Sequence, residues 1–79
     1  MKIPRSVSAA KLIKVLKPLG YEATRQTGSH IRLTTEQNGK HHITIPNHDP
    51  IRVGTFSAII SDVAQHFGKS KQELMEELF

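Results

Sequence analysis

The residues able to do chemistry in this chain are its five histidines, and one of them is set apart by its neighbours. His30 follows Gly28-Ser29 directly, where the chain leaves a tight turn. Arg32 and Thr34 then recur on the same side of the following strand, at the period of two that a strand imposes. An imidazole titrates near neutrality and there can take or give a proton, and the guanidinium two residues on supplies fixed positive charge. That combination suits a phosphodiester with an internal nucleophile. RNA carries a 2′-hydroxyl beside each phosphate, so its cleavage needs little more than a base for that hydroxyl and a cation for the developing phosphorane. The plainer reading of His30, a solvent-facing strand residue without a role, uses the same position.

The other histidines do not assemble into a metal centre by spacing. His41 and His42 are adjacent and therefore point to opposite sides of a strand. No two histidines stand one helical turn apart in the pattern that zinc sites use. His41 reads as a packing residue at the turn end of its strand, and His66 as a surface or helix-end charge. His48 follows Ile45-Pro46-Asn47 at the exit of a strand. Cysteine is absent, which excludes disulfides, thiolate metal sites and thiol nucleophiles. The expectation is a chain without metal or cofactor.

These residues must be held by a small set of elements. Ser8 is an N-cap candidate, followed by Leu12, Ile13, Leu16 and Leu19 at helical spacing, with Lys11, Lys14 and Lys17 on the opposite side. Pro18 and Gly20 end that helix. From Tyr21 to Pro46 the pattern alternates and is broken by two glycine turns. A three-residue loop, Gln37-Asn38-Gly39, sets Leu33 against Ile43, Ile31 against Ile45 and Glu36 against Lys40. A two-residue loop there would mix apolar and polar residues on both faces. The same loop at Gln26-Thr27-Gly28 sets Ala23 against Ile31 and Tyr21 against Leu33. It also makes Thr24 the cross-strand neighbour of His30, with Glu22 within diagonal reach. One face is then Tyr21, Ala23, Ile31, Leu33, Ile43 and Ile45; the other is polar and includes Glu22, Thr24, His30, Arg32, Thr34, His42 and Thr44.

After a loop from Asn47 to Gly54, Thr55 is expected to cap a helix with Phe56, Ile59, Ile60, Val63, Ala64 and Phe67 as its apolar stripe, ended by Gly68. Ser70 and Glu73 form a capping box for a last short helix, with Leu74, Met75 and Leu78 inward. The expected fold is α+β: a three-stranded antiparallel sheet with helices on one face, in the order α-β-β-β-α plus a short C-terminal helix. This is the double-stranded-RNA-binding-domain-like arrangement. Seventy-nine residues are expected to form one domain, 1–79, with no room for a second core.

Lysine and arginine total 11 against seven acids, a net charge of +4. Lys2, Arg5, Lys11, Lys14, Lys17, Arg25, Arg32 and Lys40 all precede residue 41, whereas Glu73, Glu76 and Glu77 lie at the end. A basic body with an acidic tail fits a polyanion partner, and it equally fits an ordinary solvated surface. No apolar run is long enough for a membrane span and nothing resembles a signal peptide, so the expected location is the cytoplasm, with no membrane partner.

Four ordered segments resemble the HicA (YcfA-like) family of bacterial and archaeal toxins. Ser8 to Gly20, ending in Leu19-Gly20-Tyr21, is similar to the family's opening helix. Arg25-Gln26-Thr27-Gly28-Ser29-His30 resembles its Arg-Gln-x-Gly-Ser-His signature, Ile45-Pro46-Asn47-His48 its Pro-x-His segment, and Gly54-Thr55 with Ile59 and Ile60 its Gly-Thr-x-x-x-Ile helix start. The resemblance implies a toxin endoribonuclease that cleaves mRNA, with the histidine of Gly-Ser-His catalytic and covered by a cognate HicB-type antitoxin. By position that histidine is His30. The expected RNA-binding residues are Arg25, Ser29 and Arg32, with Lys11, Lys14 and Lys17 on the first helix, and His48 is the candidate auxiliary residue. The chain departs from the family between His48 and Gly54. Asp49-Pro50-Ile51-Arg52-Val53 lacks the lysines of many members, so Arg52 is that segment's only cation. A non-catalytic RNA-binding module of the same fold, or a domain whose polar sheet face docks a partner protein, would carry the same charge.

Overall fold

In a computed structural model the described residues are 6–79; Lys2 and Arg5, counted above among the basic residues, lie outside them. The chain runs α1 (Ala9–Leu16), a 3-10 turn (Lys17–Leu19), β1 (Glu22–Thr27), β2 (His30–Thr35), β3 (His41–Pro46), α2 (Val53–His66) and α3 (Lys71–Leu78). The strands form an antiparallel sheet in the order β1-β2-β3. This is the α+β order expected from the sequence.

Local chemistry explains most of the boundaries. The Ser8 side chain accepts from the Lys11 N–H at 3.1 Å and so satisfies one of the free donors of α1. Gly20 ends the 3-10 turn at φ 85°. A Cβ there would lie 2.6 Å from Thr35 Oγ1, and that hydroxyl donates to the Leu19 carbonyl at 2.7 Å. Only glycine fits both the dihedral and the close approach. Ser70 and Glu73 form the expected reciprocal cap of α3. The start of α2 differs from expectation. The helix begins at Val53 after Arg52, which offers no side-chain cap, and Thr55 lies inside its first turn.

The core joins the inner sheet face to the helices. Leu12, Leu16, Tyr21, Leu33, Ile45, Ile60, Val63 and Leu74 are fully buried, with Phe56, Ile31 and Ile43 beside them. Val7 and Ile51 are also buried, and are tied together by a 2.8 Å bond from the Ile51 N–H to the Val7 carbonyl.

The second hairpin has the expected register: Leu33 pairs with Ile43 and Ile31 with Ile45. The first does not. Thr27 pairs with His30 across a two-residue Gly28-Ser29 loop, with Gly28 at φ 57°. Ala23 pairs with Leu33 and Arg25 with Arg32, leaving a bulge at Thr24. Ala23, though paired with Leu33, is exposed rather than buried, as is every residue of the edge strand β1. The extra residue of the bulge absorbs the one-residue difference between the tight turn and the apolar pattern of β2.

Candidate active site on the open sheet face

The face of the sheet turned away from the helices is built by β2, with β1 and β3 flanking it. His30 opens β2 and is exposed. Its neighbours are Thr27 on β1 and Pro46 on β3; Thr24, expected across from it, is carried by the tighter turn to the bulge near Arg32. Glu22 is further off, opposite Thr34. Arg32 follows His30 on the same face, roughly 6–7 Å along the strand. Among the described residues, no side chain hydrogen-bonds the His30 ring.

Two of the segments singled out in the sequence meet here. Pro46 pairs with His30, and the Asn47 N–H donates to the Ser29 carbonyl at 2.6 Å. The turn carrying His30 and the strand exit carrying His48 thus run side by side. His48 is exposed, and its main chain links β3 to α1: its N–H donates to Pro46 at 2.9 Å and its carbonyl accepts from Ala9 at 3.2 Å. Ser29 contributes its carbonyl to the same junction.

Beyond Arg32 the face becomes a shallow depression lined by Thr24, Arg25, Arg32, Thr34, Glu36, Lys40 and His42. The bulge brings Thr24 and Arg25 together opposite Arg32, because two residues of β1 there face one of β2. A hydroxyl chain crosses the three strands. Thr24 Oγ1 lies 3.0 Å from Thr34 Oγ1, which lies 2.8 Å from His42 Nδ1. Desolvation against the sheet, then the charges of Arg32 and Lys40, hold His42 below the ordinary imidazole pKa. Sequence reasoning put His42 on this face and paired Lys40 with Glu36 without assigning either to a site. The signal was there in the alternation of His42 with Ile43, but the bulge that completes the cluster was not visible.

Lys11, Lys14 and Lys17 are exposed on α1 and its 3-10 extension, outside this depression. Arg52 is exposed at the N-terminus of α2 and does not line it.

The remaining histidines have structural work. His41 is half-buried beneath the sheet. Its Nδ1 lies 2.6 Å from the Tyr21 hydroxyl and its Nε2 lies 3.3 Å from Asp62 Oδ1. Burial, with Asp62 adding to it, pushes the Tyr21 phenol up to about 12. His66 stacks on His41 at 4.4 Å and is not the free helix-end residue expected. Its Nε2 donates to the Gln37 and Gly39 carbonyls at 2.9 and 3.0 Å, while Asn38 donates to the His66 carbonyl at 2.7 Å. No group of three or more potential metal ligands gathers among the described residues.

A family model described as the HicA toxin of bacterial toxin–antitoxin systems matches residues 9–64. The matched span runs from the start of α1 into α2 and includes His30, His48 and the whole open face. No curated protein and no solved structure gives a match.

Proposed function

Because this chain belongs to the HicA family of toxins, which implies a cognate antitoxin, we propose that it is an mRNA-cleaving endoribonuclease with His30 as its catalytic residue. His30 accepts the proton of a 2′-hydroxyl as that oxygen attacks the adjacent phosphorus. The bond to the 5′-oxygen breaks, and that oxygen takes up a proton as it leaves. The products are a 2′,3′-cyclic phosphate and a 5′-hydroxyl end. Arg32, on the same face, offsets the charge that builds on the phosphoryl oxygens. The reaction needs no metal-bound water, since the nucleophile belongs to the substrate.

The observation that carries this reading is the position of His30. It is an exposed imidazole at the end of the open polar face, beside Arg32 and against the Pro46-Asn47-His48 segment. One observation favours the competing reading, a non-catalytic RNA-binding module: no side chain among the described residues orients the His30 ring. A HicB-type antitoxin, binding over His30, would neutralise the toxin under the first reading. Incubating purified protein with RNA in excess chelator separates the two. Cleavage leaving cyclic phosphate ends supports the proposal. Intact RNA, or cleavage only when a divalent ion is restored, overturns the mechanism.

A further inference from the structure

The open face carries a second feature, distinct from His30. Arg25 and Arg32 are directly opposed across β1 and β2. Like charges in that position destabilise a strand pair. Among the described residues, neither guanidinium has an acidic partner within ion-pair distance; the pairs formed are Lys40 with Glu36, His41 with Asp62 and Lys69 with Glu77. The pairing follows from the two-residue Gly28-Ser29 turn, counted outward through Thr27 with His30 and Gln26 with Ile31. The bulge beyond that pair adds Thr24 to the same side, its hydroxyl meeting the Arg32 carbonyl and Thr34. The turn thus sets Arg25 on a face that already holds Arg32 and Lys40, where Glu36, in contact with Lys40, is the one acid lining the depression among the described residues.

Apart from Glu36, the other groups in the depression can donate hydrogen bonds. His42 is oriented through Nδ1 by Thr34, and Thr34 in turn meets Thr24, so Nε2 has no hydrogen-bond partner among the described residues. Lys40 is held only by a 3.9 Å contact with Glu36, both side chains being largely exposed. Such a pair is weak and easily exchanged. Two guanidinium forks, an ammonium, an imidazole and hydroxyls offer more donors than a carboxylate can accept, and suit the several oxygens of a phosphate.

We propose that Arg25, Arg32, Lys40 and His42 form a phosphodiester subsite that grips the RNA backbone next to the bond presented to His30. The inference rests on the RNA-cleaving reading above and gives that reading a substrate path: along β2, from His30 past Arg32 and toward the turn that carries Lys40. Arg32 is shared by the two, facing the scissile phosphate on one side and the subsite on the other. The lysines of α1 lie off this path.

The test uses full-length His30→Ala protein, so that RNA stays whole, and a short fluorescein-labelled single-stranded RNA followed by anisotropy. Adding Arg25→Ala or Lys40→Ala to that background is expected to weaken binding roughly tenfold each and to lower the slope of affinity against salt by about one. Lys11→Ala and Lys14→Ala, outside the depression, are expected to weaken binding by less than either. Both sets of residues are exposed, so thermal unfolding should not fall to lower temperature. Weakening by the α1 variants alone would overturn the subsite, as would no RNA binding at all. Unchanged RNA affinity with lost antitoxin binding would overturn it in favour of a protein-docking face. The parent reading fails separately: if the wild type leaves RNA intact while Arg25→Ala and Lys40→Ala still weaken binding, the subsite stands and the nuclease does not.

Discussion

At the scale of residues, the five histidines divide by environment. His30 and His48 lie exposed at one junction, His42 lies on the open face, and His41 and His66 stack beneath the sheet. The stacked pair joins the β2–β3 turn to the end of α2, so His66→Ala removes a donor shared by two carbonyls. We expect it to destabilise the fold by about 1–2 kcal/mol, read from denaturant unfolding, without changing the rate of RNA cleavage by the folded protein. An unchanged midpoint would show that the clamp contributes nothing. His42 makes a pH prediction. Its pKa lies below the ordinary imidazole value, held there by desolvation first, then by Arg32, Lys40 and His41, with Glu36 opposing. On acidification the unfolded chain therefore takes up this proton before the folded one. The ring's contribution to stability is present above the ordinary value and lost as pH falls. A bound phosphate acts in the other sense and draws the proton onto the ring. RNA affinity of His30→Ala protein should rise between about pH 7.5 and 5.5, and most of that rise should vanish in the added His42→Ala variant. An equal rise without His42 would place the proton elsewhere.

At the scale of elements, the second hairpin was legible in the sequence and the first was not, for one physical reason. Between Ile31 and Ile45 both strands carry apolar residues inward, so only one register keeps the faces separate, and the loop length follows. β1 offers no such constraint. It is an edge strand whose only core anchor, Tyr21, stands just before it, and Arg25 and Gln26 are exposed whichever way they turn. The tight Gly28-Ser29 turn then sets the pairing at one end, and a bulge restores it at the other. The start of α2 was missed for a similar reason. Arg52 carries no capping side chain, and Thr55, the residue type that signals a cap, stands within the helix. The face assignment makes its own prediction. Leu33→Ala should cost roughly 2–5 kcal/mol, a large part of the stability of so small a core, whereas Arg32→Ala should leave thermal unfolding almost unchanged. Comparable losses from both would mean that Arg32 packs rather than binds.

At the scale of the whole molecule, one side of the sheet is covered by helices and the other is open, basic and polar. The family's antitoxin would need only to cover the open side, without unfolding the toxin, and acidic side chains would complement it. We expect RNA and antitoxin to compete for His30→Ala protein, with both affinities falling as salt is raised; a ternary complex that holds RNA at full affinity would argue against occlusion. The central claim concerns His30 alone, and one measurement reaches it most directly: single-turnover cleavage of end-labelled RNA by wild-type and His30→Ala protein in chelator, at matched unfolding midpoints. His30 is exposed, so its truncation empties no core. The account predicts an unchanged fold and a rate lower by about 10²–10⁴. Cleavage by His30→Ala at the wild-type rate would contradict it.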